Sequence, residues 1–239
     1  MIGLGTIINI AAIILGGLAG SLFGKMLSQE AQDTLNKVCG VSTLFIAISG
    51  VLEKMLSVEN GSIVSSGSML MVVCLAVGAI GGELMNIEGA FERFGQWLKI
   101  KSGNAKDKRF VDAFVTASLT VCIGAMAIVG AIEDGLTGDY SILATKAVLD
   151  LIIITVMTGS MGKGCAFSAI PVAAVQGSVT LLAGIARPLM TPLALHNLSL
   201  VGNVLIFCVG INLVWGKKIR VANLLPAIIA AVIAAFLPI

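Results

Sequence analysis

The sequence predicts an all-α membrane protein with about eight transmembrane helices. Of its 239 residues, 57% are hydrophobic and only 12% are charged, and the mean hydropathy is +1.04. A soluble globular chain carries about 45–50% apolar and about 25% charged residues, so a large buried core does not account for this composition. Apolar runs recur that are long enough to cross a hydrocarbon layer of about 30 Å. They do not alternate in hydrophobicity as barrel strands do, which predicts helices.

Eight apolar segments account for the predicted spans, and we expect them to form a single polytopic domain over residues 1–239. The longest polar stretch, 83–109, follows the third segment. It joins an amphipathic piece around Phe94 and Trp97 to a basic run that ends at Arg109, a pattern typical of a helix in the membrane interface. The eight segments cover 2–24, 38–56, 62–84, 110–132, 141–158, 165–186, 198–216 and 221–237.

Small residues recur every four positions along several of these segments. Faces of this kind let helix backbones approach closely, and packing then replaces the hydrophobic driving force that lipid removes. We therefore expect tightly packed helix pairs and a homo-oligomer. The clearest faces are Ala12, Gly16, Gly20 and Gly24 in the first segment, Gly78 and Gly82 in the third, and Ala169, Ala173 and Gly177 in the sixth.

The distribution of Lys and Arg predicts the orientation of the chain, because cytoplasmic loops carry an excess of both. With the N-terminus outside, the cytoplasmic loops hold twelve of the fifteen basic residues, the opposite loops hold Lys54 and Arg187, and Lys146 lies within a span. Both termini are therefore predicted to be outside and 83–109 to be cytoplasmic. The twelve are Lys25, Lys37, Arg93, Lys99, Lys101, Lys106, Lys108, Arg109, Lys163, Lys217, Lys218 and Arg220.

Two pairs of segments share a faint internal similarity. The partners lie an odd number of spans apart, so they would cross the bilayer in opposite directions, as in inverted-repeat transporters. Chance similarity between glycine-rich apolar helices is the alternative. The matches pair Gly40 and Phe45 with Gly202 and Phe207, and Leu119, Cys122, Gly124 and Gly130 with Leu205, Cys208, Gly210 and Gly216.

Several longer strings resemble a known bacterial family. They include GAIGGELMNIEGAFERFGQWLK, FVTASLTVCIGAMAIVGAIEDGLTGD and FSAIPVAAVQGSVTLLAG. These strings are similar to those of the YqgA/YdfK family of uncharacterised integral membrane proteins, and the resemblance covers essentially the whole chain. It implies a bacterial cytoplasmic-membrane protein of seven or eight helices, and it implies no substrate.

The strongest candidate for a functional residue is the acid Asp150. It lies near the middle of the fifth segment, with Lys146 one turn before it. A charge at the bilayer centre costs about 2.5–3.5 kcal/mol on insertion scales, so a retained one usually faces the bundle interior and marks a pathway or relay. The alternative is a structural pair in which Lys146 extends toward the interface.

The sixth segment is predicted to be broken between Gly159 and Pro171. Gly162 and Gly164 precede Pro171, which lacks an amide hydrogen and clashes with the preceding helical turn. Gln176 follows at membrane depth, and a broken helix beside a polar amide is a common form of transporter site. A proline-kinked packing helix is the alternative, since proline is frequent in membrane helices.

Four further polar residues are candidates for the same pathway. Thr116 and Thr120 form a stripe on the fourth segment, although threonines often bond their own helix. Asn9 and Asn203 lie in apolar surroundings, where amides form hydrogen bonds between helices. Together with Asp150 and Gln176 they could line one polar cavity.

These features favour a carrier or channel that moves a small polar or charged solute, with a non-transporting scaffold or accessory protein as the alternative. We predict no catalytic residue, metal site or cofactor, because the one histidine, His196, has no second ligand at metal-binding spacing. The protein is therefore not expected to be an enzyme. Its expected partners are the lipid bilayer, an unidentified solute and further copies of itself. The basic run near Lys106 is attributed to lipid rather than to nucleic acid.

The orientation can be tested by cysteine labelling in a background that lacks the five native cysteines. A cysteine placed at Asn104 should react with a membrane-impermeant reagent only after the cytoplasmic membrane is permeabilised, because the loop that contains it is rich in Lys and Arg. A cysteine at Thr137, in the acidic loop between the fourth and fifth segments, should react in intact membranes. Labelling of position 104 from outside would contradict the orientation.

Overall fold

The computed structural model describes residues 2–59, 61–123 and 125–237 and confirms an all-α membrane protein. Two short strands and three 3₁₀ segments interrupt its helices. The strands are β1 (Leu56–Glu59) and β2 (Ser62–Ser65), and the 3₁₀ segments are Lys163–Ser168, Arg187–Leu189 and Val221–Leu224. The helices are α1 (Leu4–Gly24), α2 (Gln29–Met55), α3 (Ser68–Met85), α4 (Ile87–Lys101), α5 (Phe110–Cys122), α6 (Ala125–Thr137), α7 (Ser141–Met161), α8 (Ala169–Leu181), α9 (Ala183–Ala186), α10 (Pro192–Trp215) and α11 (Pro226–Ala234).

Among the described residues, six helical stretches are long and apolar enough to cross a membrane, and the bent pair α5–α6 raises the number to seven. Large apolar side chains such as Leu18 and Val77 are exposed along them, as expected of surfaces that face lipid. The eighth predicted span, 221–237, is not among them. Val221–Ala234 is helical, and a helix of that length reaches only about 21 Å, which is short of a hydrocarbon layer of about 30 Å.

The described chain forms two compact units that interleave in sequence. The first unit comprises Met1–Cys39 and Gly89–Ala186, and the second comprises Gly40–Glu88 and Arg187–Ile239. The organisation as a single domain stays a prediction, as does the inverted repeat. In the fourth segment, one residue of the predicted repeat, Gly124, lies outside the described residues.

The close pairing of α1 with α7 organises the first unit. The two helices run in the same direction, since Gly5 contacts Leu143 near their beginnings and Gly24 contacts Gly159 near their ends. A Cβ atom on Gly16 would lie only 2.6 Å from the Leu151 carbonyl oxygen, so the glycine face is needed for this approach. The predicted role of that face in tight packing is confirmed.

The sixth segment changes its helix type where the sequence predicts a break. Helix α7 ends at Met161, and Gly162 adopts φ 108° and ψ −178°, a conformation that L side chains rarely adopt. A 3₁₀ turn over Lys163–Ser168 then leads into α8, and Pro171 lies in the first turn of α8. A proline is tolerated there because the first amides of a helix have no intrahelical acceptor. The discontinuity is therefore a 3₁₀ turn rather than an open gap.

A break in the fourth segment was not predicted. Helix α5 ends at Cys122, the backbone of Ile123 is extended at φ −86° and ψ 124°, and α6 continues at an angle of 62°. The sequence at this point is continuously apolar and contains no proline, so its hydropathy alone predicts an uninterrupted helix over 110–132. One carbonyl group that this break frees, that of Val121, has its donor on another helix, as described below.

The second unit is built around α3, α10 and α11. Gly78 of α3 packs against Ala227 of α11, and Gly82 packs against Asn223 of the 3₁₀ segment that precedes α11. Residues 62–65, predicted to open the third span, instead form β2, which pairs with β1 in an antiparallel hairpin. The sequence explains this, because Asn60-Gly61 is a strong turn signal and Gly61 has φ 78°.

The polar stretch 83–109 contains the predicted amphipathic helix, α4. Trp97 is 53% exposed and Leu98 is 5% exposed, so one side packs on the protein while aromatic surface stays outside, as in an interfacial helix. Glu88 differs from expectation. The pattern places it on the polar face, yet it is 2% exposed, and its carboxylate accepts hydrogen bonds from the Ala222 amide and the Lys217 ammonium.

The glycine face of α1 gives a direct test of the packing. Gly16→Ala should destabilise the protein by about 1–3 kcal/mol, because a side chain there overlaps the backbone of α7 and forces the helices apart. Gly177→Ala on α8 is the matched control, since no heavy atom lies within 4 Å of the added carbon. Unfolding in mixed micelles measures both. Equal stability of the Gly16→Ala variant and the parent would disprove the close contact.

Candidate functional site

A buried ion pair lies on α7 in the first unit. The Lys146 ammonium nitrogen lies 2.5 Å from the Asp150 carboxylate, and the two residues are 7% and 3% exposed. The same ammonium donates a hydrogen bond of 2.9 Å to the carbonyl oxygen of Val121. One lysine therefore joins the acid on α7 to the end of α5.

The contact between Lys146 and α5 explains how the break is accommodated. The last carbonyl groups of a helix have no intrahelical donor and carry the negative end of its dipole. In lipid such groups are tolerated only where protein or water satisfies them. A cation that caps the Val121 carbonyl meets both requirements, and Asp150 balances the charge of that cation.

Two amides from other helices complete the centre of the site. The Asn9 side chain on α1 donates to the Gln176 side chain on α8 over 3.2 Å, and it also interacts with the Asp150 carboxylate. Asn9 and Gln176 are 0% and 2% exposed. The sequence predicts that Asp150, Gln176 and Asn9 share one polar site, and the structure brings them together with Lys146.

This network is incompletely bonded. The Asn9 Oδ1 and Gln176 Nε2 atoms are buried and have no hydrogen-bond partner among the described residues. An unpaired polar group in a low-dielectric interior is costly, so native structures rarely leave one without a function or a bound molecule. One free acceptor, on Asn9, and one free donor, on Gln176, therefore remain in the network that contains the ion pair.

Polar contacts that the sequence analysis missed extend the site toward the N-terminus of α1. The hydroxyl oxygens of Thr6 and Thr180 lie 3.3 Å apart, and the Asp134 carboxylate accepts hydrogen bonds from the Gly3 and Gly5 amides. A sequence signal for the threonines does exist. Thr6 lies three residues before Asn9, and Thr180 lies four after Gln176, so each shares a helix face with an identified amide.

An apolar layer borders the network on its other side. Ile13, Ile154 and Val172 are each 0% exposed. Each lies one helical turn from a residue of the network, on the side away from Thr6 and Thr180. One turn further along α7, Thr158 lines a cavity of 740 Å³ that opens at the end of the unit. Asp150 and Thr158 are about 12 Å apart along the helix axis.

The remaining predicted residues do not join this network. The Thr120 hydroxyl donates to the Thr116 carbonyl of its own helix over 2.8 Å, which is the alternative interpretation of that stripe. Asn203 belongs to the second unit, where it contacts Gly50 and donates weakly to the Ser199 hydroxyl over 3.4 Å. Pro171 contributes to the path of the backbone, at the start of α8.

Comparison with known proteins identifies similar chains of unknown function. A family model described as "Protein of unknown function (DUF554)" matches residues 4–236. The uncharacterised membrane protein YdfK of Bacillus subtilis is 30% identical over 225 residues, which cover 94% of this chain and 92% of the relative. The uncharacterised protein YqgA of Escherichia coli is 27% identical over 232 residues, which cover 95% and 94%. No solved structure gives a significant match. The resemblance seen in the sequence is confirmed.

A double-mutant cycle tests the coupling of the ion pair. Lys146→Met and Asp150→Leu should each cost about 3–5 kcal/mol of stability, because each leaves an uncompensated buried charge, whereas the double variant should recover most of the loss. The Arg220–Glu83 pair is the control, with side chains 53% and 51% exposed, and Arg220→Gln should cost at most about 1 kcal/mol. Additive effects of the two buried substitutions would show that the pair is not coupled.

Proposed function

This chain belongs to the DUF554 family, whose function is unknown, and on that premise we propose that it is a carrier or channel for a small polar or charged solute. The protein is a multi-pass membrane protein. We further propose that it resides in the bacterial cytoplasmic membrane, that it acts as a homo-oligomer and that it is not an enzyme. We also propose that both termini lie outside, which requires the segment that contains Val221–Ala234 to complete an eighth crossing.

The observation that carries the proposal is the incompletely bonded network of Lys146, Asp150, Asn9 and Gln176. Ionisable groups at membrane depth are rare and usually mark a solute or proton pathway. Here the ion pair lies beside a broken span, and two neighbouring amide atoms have unused hydrogen-bonding capacity. Transporter sites are commonly built from discontinuous helices with polar side chains at this depth.

The arrangement supports a closed state of such a pathway. The cavity at the end of the unit and the polar network are separated by the layer of Ile13, Ile154 and Val172, which offers no hydrogen bonds to a passing solute. In the proposed cycle this layer opens, and the solute then exchanges its water for the free amide groups.

A non-transporting scaffold is the second candidate, and one observation favours it. Lys146 and Asp150 neutralise each other within one helix, and the lysine satisfies the Val121 carbonyl, so the charges already have a structural use. A buried pair of this kind needs no solute. The two candidates differ in their account of the free Asn9 and Gln176 atoms, which a scaffold leaves unexplained.

Replacement of Asp150 by Asn separates the two candidates. On the transport proposal, Asp150→Asn inserts and assembles but loses flux, or the pH dependence of flux, because the substitution keeps the shape and removes the charge. The measurement uses proteoliposomes and a solute that the parent protein moves, selected from a panel of inorganic ions, carboxylates and amino acids. The double variant Lys146→Gln/Asp150→Asn removes both charges and therefore leaves no uncompensated buried charge. It shows whether flux is lost when the protein still folds.

Asp112→Asn is the matched control, since this acid is exposed near the start of α5 and outside the network. It should leave flux unchanged. If Asp150→Asn transports as well as the parent, Asp150 has no part in the mechanism. A parent protein that moves none of the panel, while Asp150→Asn loses only stability, would favour the scaffold.

A further inference from the structure

A basic cavity lies at the end of the first unit that is predicted to be cytoplasmic. Its volume is 740 Å³, and its wall is formed by the end of α1 and the residues after it, the loop before α5 and the end of α7. Three segments that are distant in sequence thus bring their charges to one place. The charged residues of the wall are Lys25, Lys106, Asp107, Arg109 and Lys163.

The positive charges of this cavity are balanced only in part by the protein, because four basic residues and one acid, Asp107, line its wall. None of the four basic side chains forms an ion pair with a carboxylate among the described residues. The Asp107 carboxylate accepts from the backbone amide of Arg109 and leaves the guanidinium uncompensated. Like charges around one cavity repel each other, and a bound anion would relieve that repulsion.

Arg109 is held in place by neutral groups. Its guanidinium donates to the Gln32 side-chain oxygen over 3.3 Å and to the Ser160 carbonyl over 3.5 Å. Gln32 is fixed in turn, since its amide donates to the Gly24 and Leu27 carbonyls. The guanidinium is therefore positioned without a counter-ion, and its planar array of donors suits an oxyanion with several acceptor oxygens.

A buried hydroxyl provides an independent observation. Thr158 lines the cavity and is 2% exposed, and its hydroxyl has no partner among the described residues except the adjacent Cys165 thiol. A thiol is a weak acceptor, so the hydroxyl proton can be donated to a stronger one. An oxyanion in the cavity would accept from Thr158 while the basic side chains neutralise its charge.

We propose that this cavity binds a phosphate group. The group belongs either to a free phosphate-bearing solute or to the headgroup of an anionic phospholipid, because both present the same oxyanion to Arg109 and the lysines. Basic pockets between membrane helices on the cytoplasmic side bind headgroups in this way. The site does not depend on transport by the Asp150 network, and it holds for a scaffold equally well.

Inorganic phosphate and phosphatidylglycerol are the two probes. The full-length protein, purified in neutral detergent, is titrated with phosphate at constant ionic strength, and the rise in Tm is measured. Retention of phosphatidylglycerol against phosphatidylcholine is measured by native mass spectrometry after release from mixed nanodiscs. Arg109→Gln should weaken, by about tenfold, the binding of whichever of the two probes the parent protein binds. This is the scale of one lost hydrogen bond to a charged group. Thr158→Val should also weaken it.

Lys101→Gln is the control, since it makes the same change of charge in the same polar stretch but outside the cavity wall. It should bind like the parent. A response to phosphate identifies a free solute as the ligand, and selective retention of phosphatidylglycerol identifies a headgroup. The proposal is overturned if neither probe binds, or if Lys101→Gln loses as much affinity as Arg109→Gln, which would indicate only a general surface charge.

Discussion

The need to satisfy every polar group inside a hydrocarbon layer is the constraint on which the first unit depends. The break after α5 frees carbonyl groups that water cannot reach, and Lys146 donates to the Val121 carbonyl. A buried lysine requires a counter-charge, which Asp150 supplies from the next turn of α7. The acid in turn faces Asn9, and Asn9 bonds Gln176. The bend in one span thus accounts for the position of each polar side chain in the network.

Helix α1 connects this network to the packing of the unit. Its glycine face lets it approach α7 within contact of the Leu151 carbonyl, and this contact fixes the relative height of the two helices. Asn9 then lies level with Asp150, and Thr6 lies level with Thr180 of α8. A longer side chain at Gly16 would therefore disturb packing and polar contacts together, because both depend on one helix–helix distance.

The second unit contains a buried acid, Glu88, whose two carboxylate oxygens are both bonded. Both oxygens of the Glu88 carboxylate are bonded, one to Lys217 and one to the Ala222 amide, and the Glu88 amide donates to Asn223. That carboxylate bonds the turn before α11, while the Asn223 Nδ2 atom has no hydrogen-bond partner among the described residues. The centre of the first unit differs, because both members of its ion pair are buried and two neighbouring amides, Asn9 and Gln176, each keep an unused atom.

The sequence by itself determined the class of fold, the approximate spans, the glycine face of α1 and the amphipathic α4. It also predicted the four residues at the centre of the site, which are Asp150, Gln176, Asn9 and Lys146. These follow from hydropathy and helical spacing, which act locally. Only the tertiary structure decided the break at Ile123, the burial of Glu88 and the place of Asn203 in the second unit. The physical reason is that each of these depends on a partner distant in the chain or on backbone geometry. Lys146 lies 25 residues from the Val121 carbonyl that it caps, and no local pattern records that contact.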